Sequence, residues 1–318
     1  MKLNHSFNVY LRPKAPYSFE LTVRKPAGWP LFTPLEIFQK GTLWTALHLD
    51  NLLLGLRLSS GGTVSKPQIV LSVFSGESLS PAQKLEIQKI LGAKLSVEND
   101  LTDFYRLAEK DPILKHSVQD LYGMNDTELS HLYAAVCLSI LLQMAPLKRS
   151  QEMMECFIRS YGEVAEFEGK RIPVWPTPER VANLSTAELA QKCKLGYRAK
   201  YVFQCARFLE QSSLPAFSEL KQLSFEEAKN RLLKLPGIGD YSADIISPHR
   251  GFPIDVWSAD IFSQLFYGAK PGATRTAIEQ VKAEGIRRWG KWSWMAFFYT
   301  VQDLENLSRK LERDLRLF

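Results

Sequence analysis

Two glycines and one aspartate in the last third of this 318-residue chain are the residues best suited to chemistry. Gly237 and Gly239 lie on either side of Ile238, shortly after Leu235, and glycines in this pattern allow a tight turn whose backbone approaches an outside partner closely. Backbone N–H groups exposed at such a turn, next to a helix N-terminus, suit a phosphate oxygen. Asp255 lies where the N-cap of a further helix is expected, and the positive end of that helix would keep its carboxylate ionised.

The surrounding pattern predicts the helices that position these residues. Ser224 and Glu227 have the spacing of a capping box, which starts a helix that ends just before the first glycine. A second helix begins at Asp240 or directly after it, and Pro248 stops it. We therefore expect a helix–hairpin–helix over residues 224–247.

Both features also have a purely structural interpretation. The hairpin residues Leu235, Gly237, Ile238 and Gly239 could bind a DNA backbone, or they could only turn the chain between two packed helices. Asp255 could be a capping residue alone, a role worth about 1 kcal/mol. Other parts of the sequence are needed to choose between these interpretations.

The composition excludes several broad classes. Hydrophobic residues make up 45% of the chain, which predicts a globular protein rather than a disordered one. No apolar stretch is long enough to span a bilayer, and the N-terminus has no apolar signal segment. We expect an intracellular protein without a membrane partner. The net charge of +6 permits a nucleic-acid partner without requiring one.

The four cysteines are Cys137, Cys156, Cys193 and Cys205. They form no CxxC pair and have no histidine at the spacing of a metal ligand. We expect free buried thiols, no iron–sulfur cluster and no metal bound by side chains.

The pattern along the chain predicts an α+β fold: a small N-terminal antiparallel β-sheet domain, residues 1–100, and an all-helical body, residues 101–318, that contains the helix–hairpin–helix. Residues 16–25 and 67–76 are rich in β-branched and aromatic side chains between Pro and Gly, which predicts strands. Residues 43–62 could form a hairpin or a strand–turn–strand.

From Ser80 onward the apolar spacing is helical. A loop is expected over residues 171–180, because this segment contains three prolines. Before the helix–hairpin–helix, the pattern predicts helices at roughly 80–93, 100–109, 111–122, 127–144, 150–161, 186–193 and 200–211.

With the hairpin in place, the chain resembles the helix–hairpin–helix superfamily of DNA glycosylases. LPGIG at residues 235–239 and FPIDVW at residues 252–257 are the specific motifs. Further segments are similar to the 8-oxoguanine glycosylase branch, to the 3-methyladenine glycosylase II branch, or to both, so that the resemblance covers most of the chain. These segments are residues 111–124, 140–162, 192–209 and 289–304.

The resemblance implies base-excision repair of duplex DNA, in which a damaged base is flipped out and its N-glycosidic bond is hydrolysed. The transition state has oxocarbenium character, and a carboxylate near C1′ stabilises this charge and orients the attacking water. The resemblance assigns this role to Asp255. Asp260 is the alternate candidate, because its separation from Gly239 fits the family better, although it would lie in the second turn of the helix.

Tyr241 stands where bifunctional members of the family carry a lysine that forms a Schiff base. The resemblance therefore implies a monofunctional enzyme, similar to the 3-methyladenine glycosylase II branch, with an alkylated purine as the expected lesion. Three alternatives stay open: a catalytically silent DNA-binding protein, a glycosylase for an oxidised or deaminated base, and a lyase that uses another lysine.

The remaining expectations concern the base pocket and the ligands. The candidates for the pocket are Tyr241, Trp257, Trp289, Trp292 and Trp294. Of the aromatic residues in this part of the chain, Trp294 and Phe298 look most like core. Gln143 could fill the gap left by the flipped base or make only a local hydrogen bond. The resemblance implies double-stranded DNA with a damaged base as the partner, without a cofactor, although a monovalent cation could bind the hairpin backbone. It also implies a monomer that is cytoplasmic and nucleoid-associated, or nuclear in a eukaryote.

Overall fold

The computed structural model describes residues 1–49, 51–211, 217–269 and 275–315. It has the expected α+β architecture, with an antiparallel sheet near the N-terminus followed by a helical body. In the described part of the chain, no helix has the length and apolar character needed to cross a membrane.

Five strands form the N-terminal sheet: β1 (His5–Leu11), β2 (Ile37–Gln39), β3 (Thr42–Leu49), β4 (Leu52–Ser60) and β5 (Ile69–Ser75). Their order in the sheet is β1–β5–β4–β3–β2. The segment at residues 43–62 forms the β3–β4 hairpin, in which Leu49 pairs with Leu52, whereas Asp50 lies outside the described residues. The strand predicted over residues 67–76 is confirmed as β5, whose buried side chains pack against the following helix.

The strand predicted over residues 16–25 is wrong, since most of this segment is helix α1 (Phe19–Arg24). Ser18 caps the helix by accepting a hydrogen bond from the N–H of Leu21. Phe19, Thr22 and Val23 are buried, and their spacing places them on one helical face. Tertiary packing of this face therefore overrides the strand preference of the individual residues.

The helical body follows the predicted order with shifted ends. The helix expected over residues 127–144 begins only at Leu132, because His131 caps it through Nδ1, which accepts from the N–H of Ala134 at 3.2 Å. The helices after α1 are α2 (Pro81–Lys94), α3 (Thr102–Ala108), α4 (Leu114–Asp120), α5 (Leu132–Leu142), α6 (Leu147–Tyr161), α7 (Pro178–Ala182), α8 (Thr186–Lys192), α9 (Arg198–Gln211), α10 (Phe217–Leu220), α11 (Phe225–Leu232), α12 (Asp240–Ile246), α13 (Val256–Tyr267), α14 (Arg275–Trp289), α15 (Ser293–Gln302) and α16 (Leu304–Lys310).

Part of the loop expected over residues 171–180 is instead a β-strand. Strands β6 (Val164–Phe167) and β7 (Lys170–Pro173) form a two-stranded hairpin that packs against the N-terminal sheet. Phe167 lies directly over Gly55 of β4, where a Cβ atom would come within 2.5 Å of its ring. This close approach explains why a glycine occupies the middle of a buried strand.

The cysteines only partly follow the expectation. Cys137 and Cys205 are free and buried. Cys156 and Cys193 form a disulfide that links α6 to the end of α8, so the expectation of four free thiols is wrong. The two residues are far apart in the sequence and have no motif spacing, so only the packing of the two helices brings them together.

The core of the helical body is divided into two clusters. One contains the buried faces of α5, α6, α9 and α12, and the other those of α3, α4 and α13 to α15. A cavity between the two clusters contains the candidate site.

Candidate active site

The helix–hairpin–helix forms as predicted from the capping box. The Ser224 hydroxyl accepts from the N–H of Glu227, and the Glu227 carboxylate accepts from the N–H of Ser224 at 3.0 Å. Leu235 and Ile238 are only 2% and 6% exposed, so their side chains anchor the hairpin in the core. The backbone between α11 and α12 is thereby fixed at the protein surface.

The two hairpin glycines have different requirements. Gly237 has a φ of +76°, and a Cβ atom there would lie 2.5 Å from the ring of Tyr201. Gly239 is the N-cap of α12, is exposed, and has nothing within 4 Å of the position of a Cβ atom. Gly237 is therefore required by the fold, whereas Gly239 leaves open space beside the unpaired N–H groups of the first turn of α12.

Asp255 is the N-cap of α13, and its side chain is half-buried. Its Oδ1 accepts from the N–H of Ser258 at 2.8 Å and from the Ser258 hydroxyl at 2.7 Å. The Ser258 hydroxyl in turn accepts from the N–H of Asp255. Because these cap bonds use Oδ1, Oδ2 remains for contact with a reacting group.

Asp255 lines a cavity of about 210 Å³ that is walled largely by aromatic and aliphatic side chains. Tyr241 and Trp257, two of the residues expected in the base pocket, line the same cavity. Asp260, the alternate catalytic candidate, does not line it. The cavity's aromatic residues are Trp29, Tyr241, Trp257, Trp294, Phe297 and Phe298.

Tyr241 keeps its hydroxyl proton. Burial, and then the negative charge of Asp255, raise the pKa of the Tyr241 phenol well above its usual range. The side chain of Tyr241 is therefore a neutral hydroxyl in the cavity that contains the Asp255 carboxylate.

Two tryptophans exchange their expected places. Trp289 is 1% exposed, its indole N–H donates to Asp111, and its ring packs against Phe252 and Phe266, so it belongs to the core and not to the pocket. Trp294, which looked like core, lines the cavity, as does Phe298. Both tryptophans lie in one aromatic-rich segment, and its pattern does not reveal which ring faces the cavity.

The side-chain amide of Gln143 contacts the hairpin. Its Nε2 donates to the carbonyl oxygen of Gly237 at 2.8 Å and to the hydroxyl of Ser242 at 3.2 Å. Arg198 donates from Nε to the backbone oxygen of Gln143 at 3.1 Å. These contacts favour the local role of Gln143 over the filling of a gap in DNA.

The next residue, Met144, has the exposure that Gln143 lacks. Its side chain is 73% exposed, and its backbone has a φ of 47°, in a region that non-glycine residues rarely adopt. Ala145, Pro146 and Leu147, which follow it, all line the cavity. An apolar side chain is therefore held in solvent at the rim of the cavity.

The cavity also has a polar part that the sequence analysis missed. Lys25 lines the cavity, is 4% exposed, and donates from Nζ to the hydroxyl of Thr127 at 2.7 Å. Asp126 accepts from the Trp294 indole at 2.7 Å and pairs with Arg250 at 3.4 Å. Lys25 and Trp29 come from the segment misassigned as a strand and from the turn after it. A tryptophan between Gly28 and Pro30, in a segment without regular structure, was the one available signal.

Two lysines near the hairpin, Lys229 and Lys282, form ion pairs within the protein. Lys229 pairs with Asp240 at 2.8 Å and with Asp244 at 3.0 Å. Asp244 is fully buried and also pairs with Lys282. These contacts hold α11, α12 and α14 together.

The chain is similar to known DNA repair enzymes over most of its length. No protein-family model matches it. A curated relative, the DNA-3-methyladenine glycosylase of Bacillus subtilis (strain 168), is 27% identical over 244 residues, which cover 74% of this chain and 78% of the relative.

Solved structures share the fold at lower identity. The 3-methyladenine DNA-glycosylase of Archaeoglobus fulgidus superimposes with a TM-score of 0.75 at 17% identity, over 94% of this chain and 99% of that one. MBOgg1, solved with a low-affinity DNA ligand, gives a TM-score of 0.74 at 19% identity, over 96% of both chains. The apo 8-oxoguanine glycosylase/lyase of Clostridium acetobutylicum gives 0.71 at 17% identity, over 95% of this chain and 99% of that one. In fold, the chain is therefore similar to DNA glycosylases over nearly its whole length, and in sequence it is similar to the Bacillus subtilis DNA-3-methyladenine glycosylase over 74% of its length.

Proposed function

We propose that the chain is a monofunctional DNA glycosylase, which hydrolyses the N-glycosidic bond of an alkylated purine flipped out of duplex DNA. The observation that carries the proposal is that Asp255 and Tyr241 line one aromatic cavity at the end of the helix–hairpin–helix. The name of the Bacillus subtilis relative, a DNA-3-methyladenine glycosylase, supports an alkylated purine as the lesion.

In the proposed reaction the damaged base occupies the aromatic cavity and C1′ lies beside Asp255. The C1′–N bond breaks, and its electron pair leaves with the base nitrogen. The Asp255 carboxylate stabilises the positive charge that develops on the sugar. Water then bonds to C1′ through its oxygen, and Asp255 accepts the proton that the water loses.

Tyr241 supports hydrolysis without strand cleavage. A Schiff base needs a primary amine, and the neutral phenol of Tyr241 cannot form one. The product of the proposed reaction is therefore an intact strand that carries an abasic site.

Binding of the DNA is assigned to the hairpin and to Met144. The N–H groups at Gly239 and at the start of α12 would hold a phosphate, with the open space beside Gly239 admitting its oxygens. The exposed Met144 side chain would enter the stack that the flipped base leaves. The backbone groups of Leu235, Gly237 and Ile238 would make the remaining contacts with the phosphate and with a monovalent cation at the hairpin.

The test compares Asp255→Asn with Asp260→Asn on DNA treated with a methylating agent, with released bases identified by mass spectrometry. Asparagine is also a good N-cap, so the Asp255 variant should fold normally. We expect its excision rate to fall at least about 100-fold while its affinity for duplex DNA is kept, and Asp260→Asn to behave like wild type. Excision by Asp255→Asn at the wild-type rate would refute the assignment, and strand breaks without alkali treatment would refute monofunctionality.

A further inference from the structure

Lys25 is a buried cationic side chain in the wall of the cavity that holds Asp255. It ends α1, and its backbone has a φ of 47°, a conformation that non-glycine residues rarely adopt. The proposed hydrolysis gives this side chain no role. Its direction is imposed by the surrounding fold, which brings the N-terminal segment against the helical body.

The Lys25 ammonium has hydrogens that the protein does not use. Of its three N–H groups, one donates to Thr127, and the described residues provide no second hydrogen-bond acceptor. The two carboxylates whose charges act on Lys25 are bound to other groups. Asp126 accepts from Trp294 and pairs with Arg250. Glu36 accepts from backbone N–H groups at residues 31 and 32.

Lys25 and Asp255 line the same cavity but differ in their exposure. Asp255 is half-buried, as expected for a residue that meets the sugar at the entrance, whereas Lys25 is 4% exposed. When the glycosidic nitrogen of a purine lies near Asp255, the opposite edge of the ring enters the cavity first. That edge carries N1 and the substituent at position 6.

We propose that Lys25 is a specificity-determining residue, which donates a hydrogen bond to the 6-oxo oxygen of the flipped purine. The inference rests on the proposed glycosylase function and deepens it. It makes guanine-type and hypoxanthine-type lesions the favoured substrates of this cavity. A 6-amino purine turns a donor toward the ammonium, so that two hydrogen-bond donors meet and the buried N–H stays unpaired.

The charges around Lys25 support a protonated donor at neutral pH. Burial lowers the pKa of Lys25 to about 8, an effect that Asp126 and Glu36 partly offset and that Arg250 reinforces. Because this pKa lies above 7, the ammonium form predominates at pH 7. Each proton is also held less tightly than in an exposed lysine, which favours sharing it with a carbonyl oxygen.

The experiment measures single-turnover base release by wild type, Lys25→Met and Lys25→Gln, with the exposed Lys89→Met on α2 as the matched control. The substrates are a duplex with one hypoxanthine, and methylated duplex DNA that contains both 7-methylguanine and 3-methyladenine. Thermal unfolding checks that each variant folds. We expect Lys25→Met to slow release of the two 6-oxo bases about 10- to 100-fold, with 3-methyladenine release within threefold of wild type. Lys25→Gln keeps a donor and should lose less.

Each other outcome has a separate meaning. If Lys25→Met slows the release of all three bases equally, Lys25 does not determine specificity. The same conclusion holds if the wild-type protein releases 3-methyladenine but neither hypoxanthine nor 7-methylguanine. Both outcomes leave the proposed function standing. A borohydride-trapped adduct that disappears in Lys25→Met also overturns it, because Lys25 would then act as a nucleophile. No release of any base by wild type, with duplex binding intact, refutes the proposed function itself.

Discussion

Nε2 of Gln143 donates a 2.8 Å hydrogen bond to the carbonyl oxygen of Gly237, which joins the end of α5 directly to the hairpin. The same amide group reaches Ser242 in the first turn of α12. One side chain thus connects the rim of the cavity to the proposed phosphate-binding turn.

We expect Gln143→Ala to weaken binding to duplex DNA and to lower the free energy of unfolding by about 1 kcal/mol, because the hydrogen bonds to the hairpin are lost. Fluorescence anisotropy with a duplex that contains an abasic-site analogue measures the first effect, and urea unfolding measures the second. Gln222→Ala, at an exposed position, is the control. Wild-type values for both quantities in Gln143→Ala would show that the contact is dispensable.

Substitution of the two hairpin glycines should separate folding from DNA binding. Gly237→Ala places a Cβ atom against Tyr201 at a positive φ, so we expect a loss of about 1–3 kcal/mol in the free energy of unfolding. Gly239→Ala meets no protein atom, so it should unfold nearly as wild type does and yet bind duplex DNA more weakly. Unchanged DNA affinity in Gly239→Ala would argue against a phosphate at this turn.

Met144→Ala tests the proposed role of the exposed side chain. We expect excision from a fully paired duplex to fall about 10-fold, equivalent to about 1.4 kcal/mol of lost stabilisation. The loss should be smaller when the lesion lies opposite a base that cannot pair with it, because such a base is already easier to flip. Leu85→Ala, at another exposed apolar position, serves as control. An equal loss in both DNA contexts would contradict a role in filling the stack.

The titration of His131 should make the free energy of unfolding depend on pH. Burial, with smaller contributions from His48 and Lys94, lowers the pKa of His131 to about 3. Between pH 6.5 and 3 the unfolded chain binds this proton and the folded chain does not, so the free energy of unfolding decreases as the pH falls through this window, by up to about 1.4 kcal/mol per unit.

Asparagine at position 131 can cap α5 without titrating. Chemical unfolding of His131→Asn at several pH values should therefore show a shallower decrease than wild type over the same window. Parallel curves for the two proteins would mean that His131 does not set the acid sensitivity.

The local motifs could be predicted from the sequence because neighbouring residues determine them. The capping box at Ser224, the N-cap at Asp255 and the turn at Gly237 depend on hydrogen bonds over three residues or on one backbone angle. The walls of the cavity could not be predicted in the same way. Lys25 meets Thr127 across more than a hundred residues of sequence, and no spacing rule connects them.

The same limit explains the errors within single elements. Helix α1 is too short for its apolar pattern to be distinguished from that of a strand, and only its burial against the sheet decides between them. Trp289 lies in the core, whereas Trp294 lines the cavity. The positions of the neighbouring helices determine this difference.

The β6–β7 hairpin has a consequence for how the chain is made. Lys2 pairs with Glu166, and Phe167 covers Gly55, so the outer layer of the N-terminal sheet comes from a segment deep in the helical half. During synthesis, the first five strands leave the ribosome long before this cover exists. The buried apolar side chains of Ala46 and Leu53 must therefore stay exposed until it arrives, and this high contact order favours slow completion of the sheet.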